Sequence, residues 1–141
     1  MTDSPRWTTI RKGNDMNDTV NDQAAGATNV VVLRGAVRGE RTERELPSGS
    51  IVVQFDVATT LAPDGRHRSA SVPVAWIDPT DAALVVEGAE VVVIGTVRRR
   101  FFRVGGATQS RTEVVADAVI PVRRRAQVAR SLEAVAGRLV G

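Results

Sequence analysis

The chain has 141 residues, no cysteine and a formal net charge of +3. This length suits one domain with its own core, and the lack of cysteine excludes a disulfide scaffold, a thiolate metal site and a cysteine nucleophile. Because no apolar run approaches the roughly twenty residues of a membrane helix, we expect a soluble cytoplasmic protein that does not associate with a membrane.

The first segment, residues 1–28, is rich in Asp, Asn, Thr and Ala. Few large apolar side chains are present to offset the entropy of ordering, so we expect this segment to be disordered. Trp7 and Ile10 are the exceptions. Met16 offers a second plausible start, and the sequence does not decide between Met1 and Met16.

Two strands are predicted in the next part of the chain. Residues 29–37, NVVVLRGAV, form the first, with Gly35 at a bend where a side chain would obstruct a tightly coiled sheet. Residues 38–50 are charged and end in a Pro-Ser-Gly turn, which predicts an exposed loop. Residues 50–60 alternate apolar and polar side chains, so we expect a second strand with its odd-numbered positions facing the core.

A third strand and a short helix follow. Residues 69–77 alternate, which places Trp76 among the core-facing side chains. Asp78 can cap a helix, and Pro79 suits its first position. Gly88 is a natural stop, so the pattern predicts a helix from Asp78 to Gly88.

The strand at 91–104, VVVIGTVRRRFFRV, forms a hairpin with a fifth strand at 110–120. Alternation gives one face of the fourth strand Thr96, Arg98, Arg100 and Phe102. Guanidinium groups suit phosphates and aromatic rings suit unpaired bases, so this face fits a single strand of nucleic acid. A solvated arginine face that ends in a core phenylalanine is equally compatible with the pattern.

The charge distribution favours the first interpretation. Between Arg98 and Arg125 there are eight arginines, opposed only by Glu113 and Asp117. Such a local excess indicates an acidic polymer as partner, although surface arginine can also serve solubility alone.

The last segment, residues 123–141, begins with three arginines and continues as an amphipathic helix. The apolar side chains at helical spacing are Ala129, Leu132, Val135, Ala136 and Leu139. Because they are small, we expect this stripe to pack on the domain itself or on a sister subunit rather than on a membrane.

Five strands with a short helix between the third and fourth are the order of an OB-fold barrel, an all-β platform for oligonucleotides. Within that order, the chain resembles the bacterial single-stranded DNA-binding protein (SSB) family from residue 29 to residue 122. The matching features are Gly35 at the end of the first strand, the turn at 47–49, the segment FDVAT at 55–59, and EGAEVVVIGTVRRRFF at 87–102.

The resemblance implies functional residues. It assigns Arg98 and Arg100 to DNA phosphates and Phe102 to a base. It also assigns Trp76 to a base, against the core position that alternation gives it. Arg34, Arg103 and Arg111 are further DNA-binding candidates. Association is implied as well, with a homo-tetramer favoured.

The chain also departs from the family pattern. Further tryptophans are usual near the second and third strands, where this chain has Ala62, Pro63 and Ala70. The chain ends in RLVG instead of an acidic, aromatic tip. These departures indicate a divergent paralogue, with weaker binding and no partner recruitment through such a tip.

We therefore predict three regions: the disordered segment 1–28, an OB-fold DNA-binding domain at 29–122 and a basic helix at 123–141. The predicted function is sequence-independent binding of single-stranded DNA at the nucleoid in replication, recombination or repair. RNA stays open as a partner, because stacking and phosphate contacts do not distinguish the sugar. The main alternative is an OB-fold interaction subunit that has lost most DNA binding.

An enzyme is not predicted. Asp56, Asp64 and Asp78 lie in different elements, and there is no glycine-rich phosphate loop to complete a reaction site. His67 is the only histidine and is interpreted as a surface residue of a basic loop. No cofactor and no metal are expected.

Overall fold

The computed structural model describes residues 27–60 and 68–140. Predictions for residues 1–26, including Trp7, Ile10 and Met16, and for Asp64 and His67 lie outside that part of the chain. The elements, in chain order, are β1 (Val31–Glu45), β2 (Ile51–Thr60), β3 (Ser69–Ile77), a 3-10 turn (Ala82–Leu84), β4 (Glu90–Val104), β5 (Ala107–Pro121) and helix α1 (Arg125–Val140).

The five strands form one closed barrel in the order β1-β2-β3-β5-β4. Neighbouring strands are antiparallel except β3 and β5, which run parallel. β1 closes the barrel by pairing along its first part with β4 and along its second part with β2, and Ala36 pairs with both. This is the OB-fold, with a helical turn between β3 and β4 and a C-terminal helix, so the predicted fold class is confirmed.

Alternating apolar side chains fill the barrel because successive residues of a strand point to opposite faces. Val53, Phe55 and Val57 of β2 are buried, as their odd positions predict. The exceptions lie at the start of the strand, where Ile51 is 37 % exposed and Val52, expected on the opposite face, is buried at 4 %.

Trp76 lies in this core and retains only 4 % of its surface exposure. A base cannot stack on a ring whose faces are covered by core side chains. The expectation that Trp76 holds a base is therefore corrected. The alternation of apolar side chains along β3 had predicted the core position that the structure shows.

The charged stretch 38–50, expected to be a loop, is largely strand. β1 continues to Glu45 beyond a register shift around Gly39, whose φ is 74°. After the shift, Arg44 pairs with Val52 of β2. The charged side chains are mostly exposed, as expected, but the backbone is extended because β2 supplies partners for its amides and carbonyls.

The segment between β3 and β4 is one 3-10 turn, Ala82–Leu84, instead of a helix from residue 78 to residue 88. Its cap is Asp81, whose Oδ1 accepts a hydrogen bond from the Ala83 amide at 3.2 Å. Asp78 has a φ of 50°, and its Oδ1 accepts from the Ile51 amide at 3.0 Å. Because Asp78 is bonded to the start of β2, it cannot cap a helix.

Helix α1 packs on the outside of the barrel. Val135, 8 % exposed, joins the outward side chains Val92, Ile94 and Ile120 in a second apolar cluster, and Val128 packs against it. The predicted apolar stripe is thus only partly used, since Leu132 and Leu139 are 38 % and 59 % exposed. Within the described residues, no helix has the length and apolarity to cross a membrane.

Candidate nucleic-acid interface

The hairpin of β4 and β5 extends beyond the closed part of the barrel. β1 pairs with β4 as far as Gly95, and β3 pairs with β5 over residues 114–116, whereas the two hairpin strands stay paired up to Val104 and Ala107. Gly105 and Gly106, with φ values of 58° and 84°, supply the positive φ angles that a two-residue hairpin turn needs. We call residues 96–113 the arm.

Two arginines of the arm bind one buried carboxylate. Arg98 lies opposite Glu113 in the register and donates to Glu113 Oε2 from Nε at 3.1 Å and from Nη2 at 2.6 Å. Arg100 donates to the same oxygen from Nε at 3.2 Å. Arg111 Nε lies 3.8 Å from Glu113 Oε1. The hydrogen bonds from Arg98 and Arg100 are charge-assisted, which makes them stronger than neutral hydrogen bonds.

The electrostatics of this cluster favour an anionic ligand. The Glu113 side chain is 1 % exposed, whereas those of Arg98, Arg100 and Arg111 are 30 %, 26 % and 43 % exposed. Three guanidinium groups and one carboxylate give a formal local charge of 3 − 1 = +2. A buried carboxylate is tolerated only when it is paired. Glu113 therefore pairs with the three arginine side chains, and the cluster as a whole keeps a net charge of +2 at the surface.

Aromatic rings accompany the arginines on both faces of the arm. Arg100 Cζ lies 5.6 Å from the centroid of the Phe102 ring, and Arg99 Cζ lies 5.2 Å from that of Phe101. These distances are those of cation–π pairs. Arg99 also donates from Nη2 to Ser110 Oγ at 3.3 Å. Phe101 and Phe102 are both half-buried, so part of each residue remains exposed to solvent.

The structure brings together four of the predicted site residues, Arg98, Arg100, Arg111 and Phe102, on one face of the arm. Arg103 falls on the opposite face by alternation and donates from Nη2 to the Gly106 carbonyl at 3.0 Å. Trp76 is in the core and does not belong to this surface.

Arg34 also lies apart from the arm. It pairs with Val92, six positions before Arg98 in β4, which places it about 20 Å along that strand. It lines a groove beside helix α1 instead.

Two features of the arm were missed at the sequence level: the role of Glu113 and the Arg99–Phe101 pair. A signal for Glu113 was present, because pairing the strands outward from the two-glycine turn places residue 98 opposite residue 113. The second pair follows from the same alternation that defined the first. In the part of the chain that the structure describes, no group of three metal-ligating side chains is found.

The fold and the arm define a five-stranded OB-fold barrel with a cationic, aromatic-bearing hairpin. The sequence matches no family model and no curated protein. The structure is similar to that of a Plasmodium falciparum SSB in complex with ssDNA, with a TM-score of 0.57 and 18 % sequence identity, covering 67 % of this chain and 95 % of that chain. At this identity the likeness shows the fold, an SSB-like OB barrel.

Proposed function

We propose that this protein binds single-stranded DNA without sequence preference and acts in replication, recombination or repair. The observation that carries the proposal is the convergence of Arg98, Arg100, Arg111 and Phe102 on one face of the arm, with two net positive charges. The likeness to an SSB that was solved with ssDNA supports the same conclusion. Membership of the bacterial SSB family is part of the proposal.

In the proposed mechanism, phosphates are held by the arginines and bases by the phenylalanines. Arg100 is bonded to Glu113 through Nε, so its Nη groups can point toward a ligand. Phe102 and Phe101 offer rings for stacking, which tolerates any base and contributes about 1–3 kcal/mol per base. With Trp76 in the core, few rings are available, so we expect modest affinity and a strong dependence on salt.

The salt dependence of binding tests the proposal. Log affinity for single strands falls with log salt at a slope of roughly 0.7 per neutralised phosphate. The double variant Arg100→Gln/Arg111→Gln is therefore expected to reduce the slope for oligo-dT by about 1.4, measured by anisotropy of a labelled oligonucleotide. Arg130→Gln/Arg138→Gln on α1 removes the same charge away from the arm and serves as the control. Equal slopes in the two double variants would overturn the proposal.

Association is a further part of the proposal. Resemblance to the SSB family implies a homo-oligomer, with a tetramer favoured, and the exposed Leu139 and Val140 at the end of α1 offer apolar surface for a subunit contact. A mass measurement across protein concentration tests it, and a constant monomer mass would exclude the oligomer. Oligo-U in place of oligo-dT tests RNA as the partner.

The same exposed side chains of α1 favour a second candidate, an OB-fold interaction subunit that has lost most DNA binding. The burial of Trp76 also favours it, because this ring is not open to a base. The cationic arm opposes it. Absence of any oligo-dT binding at low salt would favour this candidate over the first.

A further inference from the structure

A second cationic surface lies outside the arm, in a groove between helix α1 and the outer face of β1 and β4. One side is formed by the turn and first half of α1, and the other by one residue each from β1 and β4. The lining residues are Arg34, Val92, Val122, Arg123, Arg125, Val128, Ala129 and Leu132. The groove has a volume of about 570 Å³.

The floor of the groove is aliphatic. Val92 and Val128 belong to the cluster that fixes α1 to the barrel, and Leu132 is still 38 % exposed at the groove's far end. From Arg125 to Leu132 the helix advances about 10 Å, the length of about three residues of extended peptide. The groove can therefore take one apolar side chain together with its neighbours in sequence.

The rim of the groove is formed by three arginines. Arg34, Arg123 and Arg125 are exposed, and none of them forms an ion pair or side-chain hydrogen bond with any residue in 27–60 or 68–140. None of the lining residues within 27–60 and 68–140 is acidic. This contrasts with the arm, where Glu113 forms ion pairs with three arginines. Charge complementarity therefore calls for a ligand with several carboxylates.

The floor distinguishes between the anionic ligands. A single strand of nucleic acid is held by aromatic platforms, and none of the described residues that line this groove is aromatic. An aliphatic floor instead buries the side chain of a peptide, while arginines on the rim bind its carboxylates. We infer that the groove beside α1 binds a short acidic segment of a partner protein that carries a large apolar side chain between its carboxylates.

The test uses the full-length protein and a fluorescein-labelled peptide that alternates aspartate with leucine, followed by anisotropy. Arg123→Glu/Arg125→Glu is expected to weaken peptide binding at least about tenfold, because two attractive charge pairs become repulsive. Arg130→Glu changes charge on the same helix outside the groove and is expected to have less than about a twofold effect. Leu132→Ser tests the floor, and a peptide with serine in place of leucine is expected to bind more weakly.

The outcomes separate this inference from the proposed DNA binding. If oligo-dT does not bind, but the peptide binds and the groove variants weaken it as expected, the peptide inference is supported and the DNA proposal fails. Absence of peptide binding at low salt, or equal weakening by Arg130→Glu and the double variant, would overturn the inference. The inference would also be overturned if oligo-dT displaced the peptide and the double variant lost DNA binding. That pair of results would make the groove a nucleic-acid surface. A change in oligomeric mass in the double variant, without peptide binding to the wild type, would assign the groove to a second copy.

Discussion

Arg98 donates two hydrogen bonds to a single oxygen of Glu113, at 3.1 Å from Nε and 2.6 Å from Nη2. The two residues face each other across the arm because the two-glycine turn sets the register of β4 and β5. Their pairing gives one buried carboxylate two functions. It stabilises the arm, and in the proposed DNA complex it would compete with phosphate for the same N–H donors.

Glu113→Gln is expected to change stability and DNA affinity in opposite directions. The amide keeps the shape of the side chain but loses the charge that pairs the arginines, so the free energy of unfolding should fall by about 1–3 kcal/mol. Affinity for oligo-dT at low salt should rise about threefold, because one unit of negative charge near a phosphate contributes on the order of 0.6 kcal/mol in water. Urea unfolding and anisotropy measure the two effects.

Asp117→Asn is the matched control for that substitution. Asp117 is exposed on β5 and lies at the register shift between the hairpin strands, so its loss changes the net charge equally without uncovering a buried ion pair. We expect a change in stability within about 0.5 kcal/mol. A fall in DNA affinity for Glu113→Gln would show that the carboxylate positions the arginines for DNA instead of competing with it.

Arg98 and Arg100 are expected to differ, although they lie on the same face. Arg98→Ala removes two hydrogen bonds to a buried carboxylate and should cost about 2 kcal/mol of unfolding free energy, discounted because the arginine is partly solvated. Arg100→Ala removes one and should cost about 1 kcal/mol. Binding should show the reverse order, since Arg100 is held through Nε alone. If Arg100→Ala proved the more destabilising variant and the weaker in its effect on binding, this division of roles would be wrong.

The barrel could be predicted from the sequence because its signals are local. β-branched alternation located every strand, and Gly35 marked a close approach of two backbones: a Cβ there would lie 2.1 Å from the Ala58 carbonyl oxygen. The errors concern segments whose structure is set by partners distant in sequence. The extension of β1 to Glu45 depends on pairing with β2, and Asp78 is engaged by Ile51 instead of capping a helix.

The candidate site on the arm could be predicted only in part from the alternation of the sequence. Alternation correctly placed Arg98, Arg100 and Phe102 on one face, since β4 has no irregularity between residues 95 and 104. It could not give the depth of Glu113, because burial depends on how several arginine side chains close over it. The resemblance that assigned Trp76 to a base overrode a pattern that was right, since the side chain is enclosed by the core.

The fluorescence of Trp76 should report on the core of the barrel and not on the proposed DNA-binding surface. In a Trp7→Phe background it is the only tryptophan, since the chain has two. Its emission should lie at short wavelength, acrylamide should quench it weakly, and saturating oligo-dT should leave its intensity almost unchanged, because 4 % exposure leaves no ring face open. Trp76→Phe should keep oligo-dT affinity within about twofold, given that a phenylalanine retains most of the core packing. Strong quenching by oligo-dT would instead require DNA to reach the barrel interior.

Gly95 is expected to be the least replaceable residue of β4. It sits at the register shift between the hairpin strands, where a Cβ would lie 2.0 Å from the Val115 carbonyl oxygen and 3.0 Å from Ala116 Cα. Both neighbours are backbone and cannot move without breaking the pairing that supports the arm. Gly95→Ala should therefore lower the free energy of unfolding by about 3 kcal/mol or more. Gly137→Ala is the control with the same chemical change, because it sits within α1 and, among the described residues, nothing apart from its chain neighbours and the helix's own backbone lies within 4 Å of its Cβ position. There alanine should raise stability by about 0.5–1 kcal/mol, since it favours the helix. Equal effects of the two substitutions in urea unfolding would show that β4 and β5 can separate at Gly95 without loss, and that the arm is not anchored to the barrel at this position.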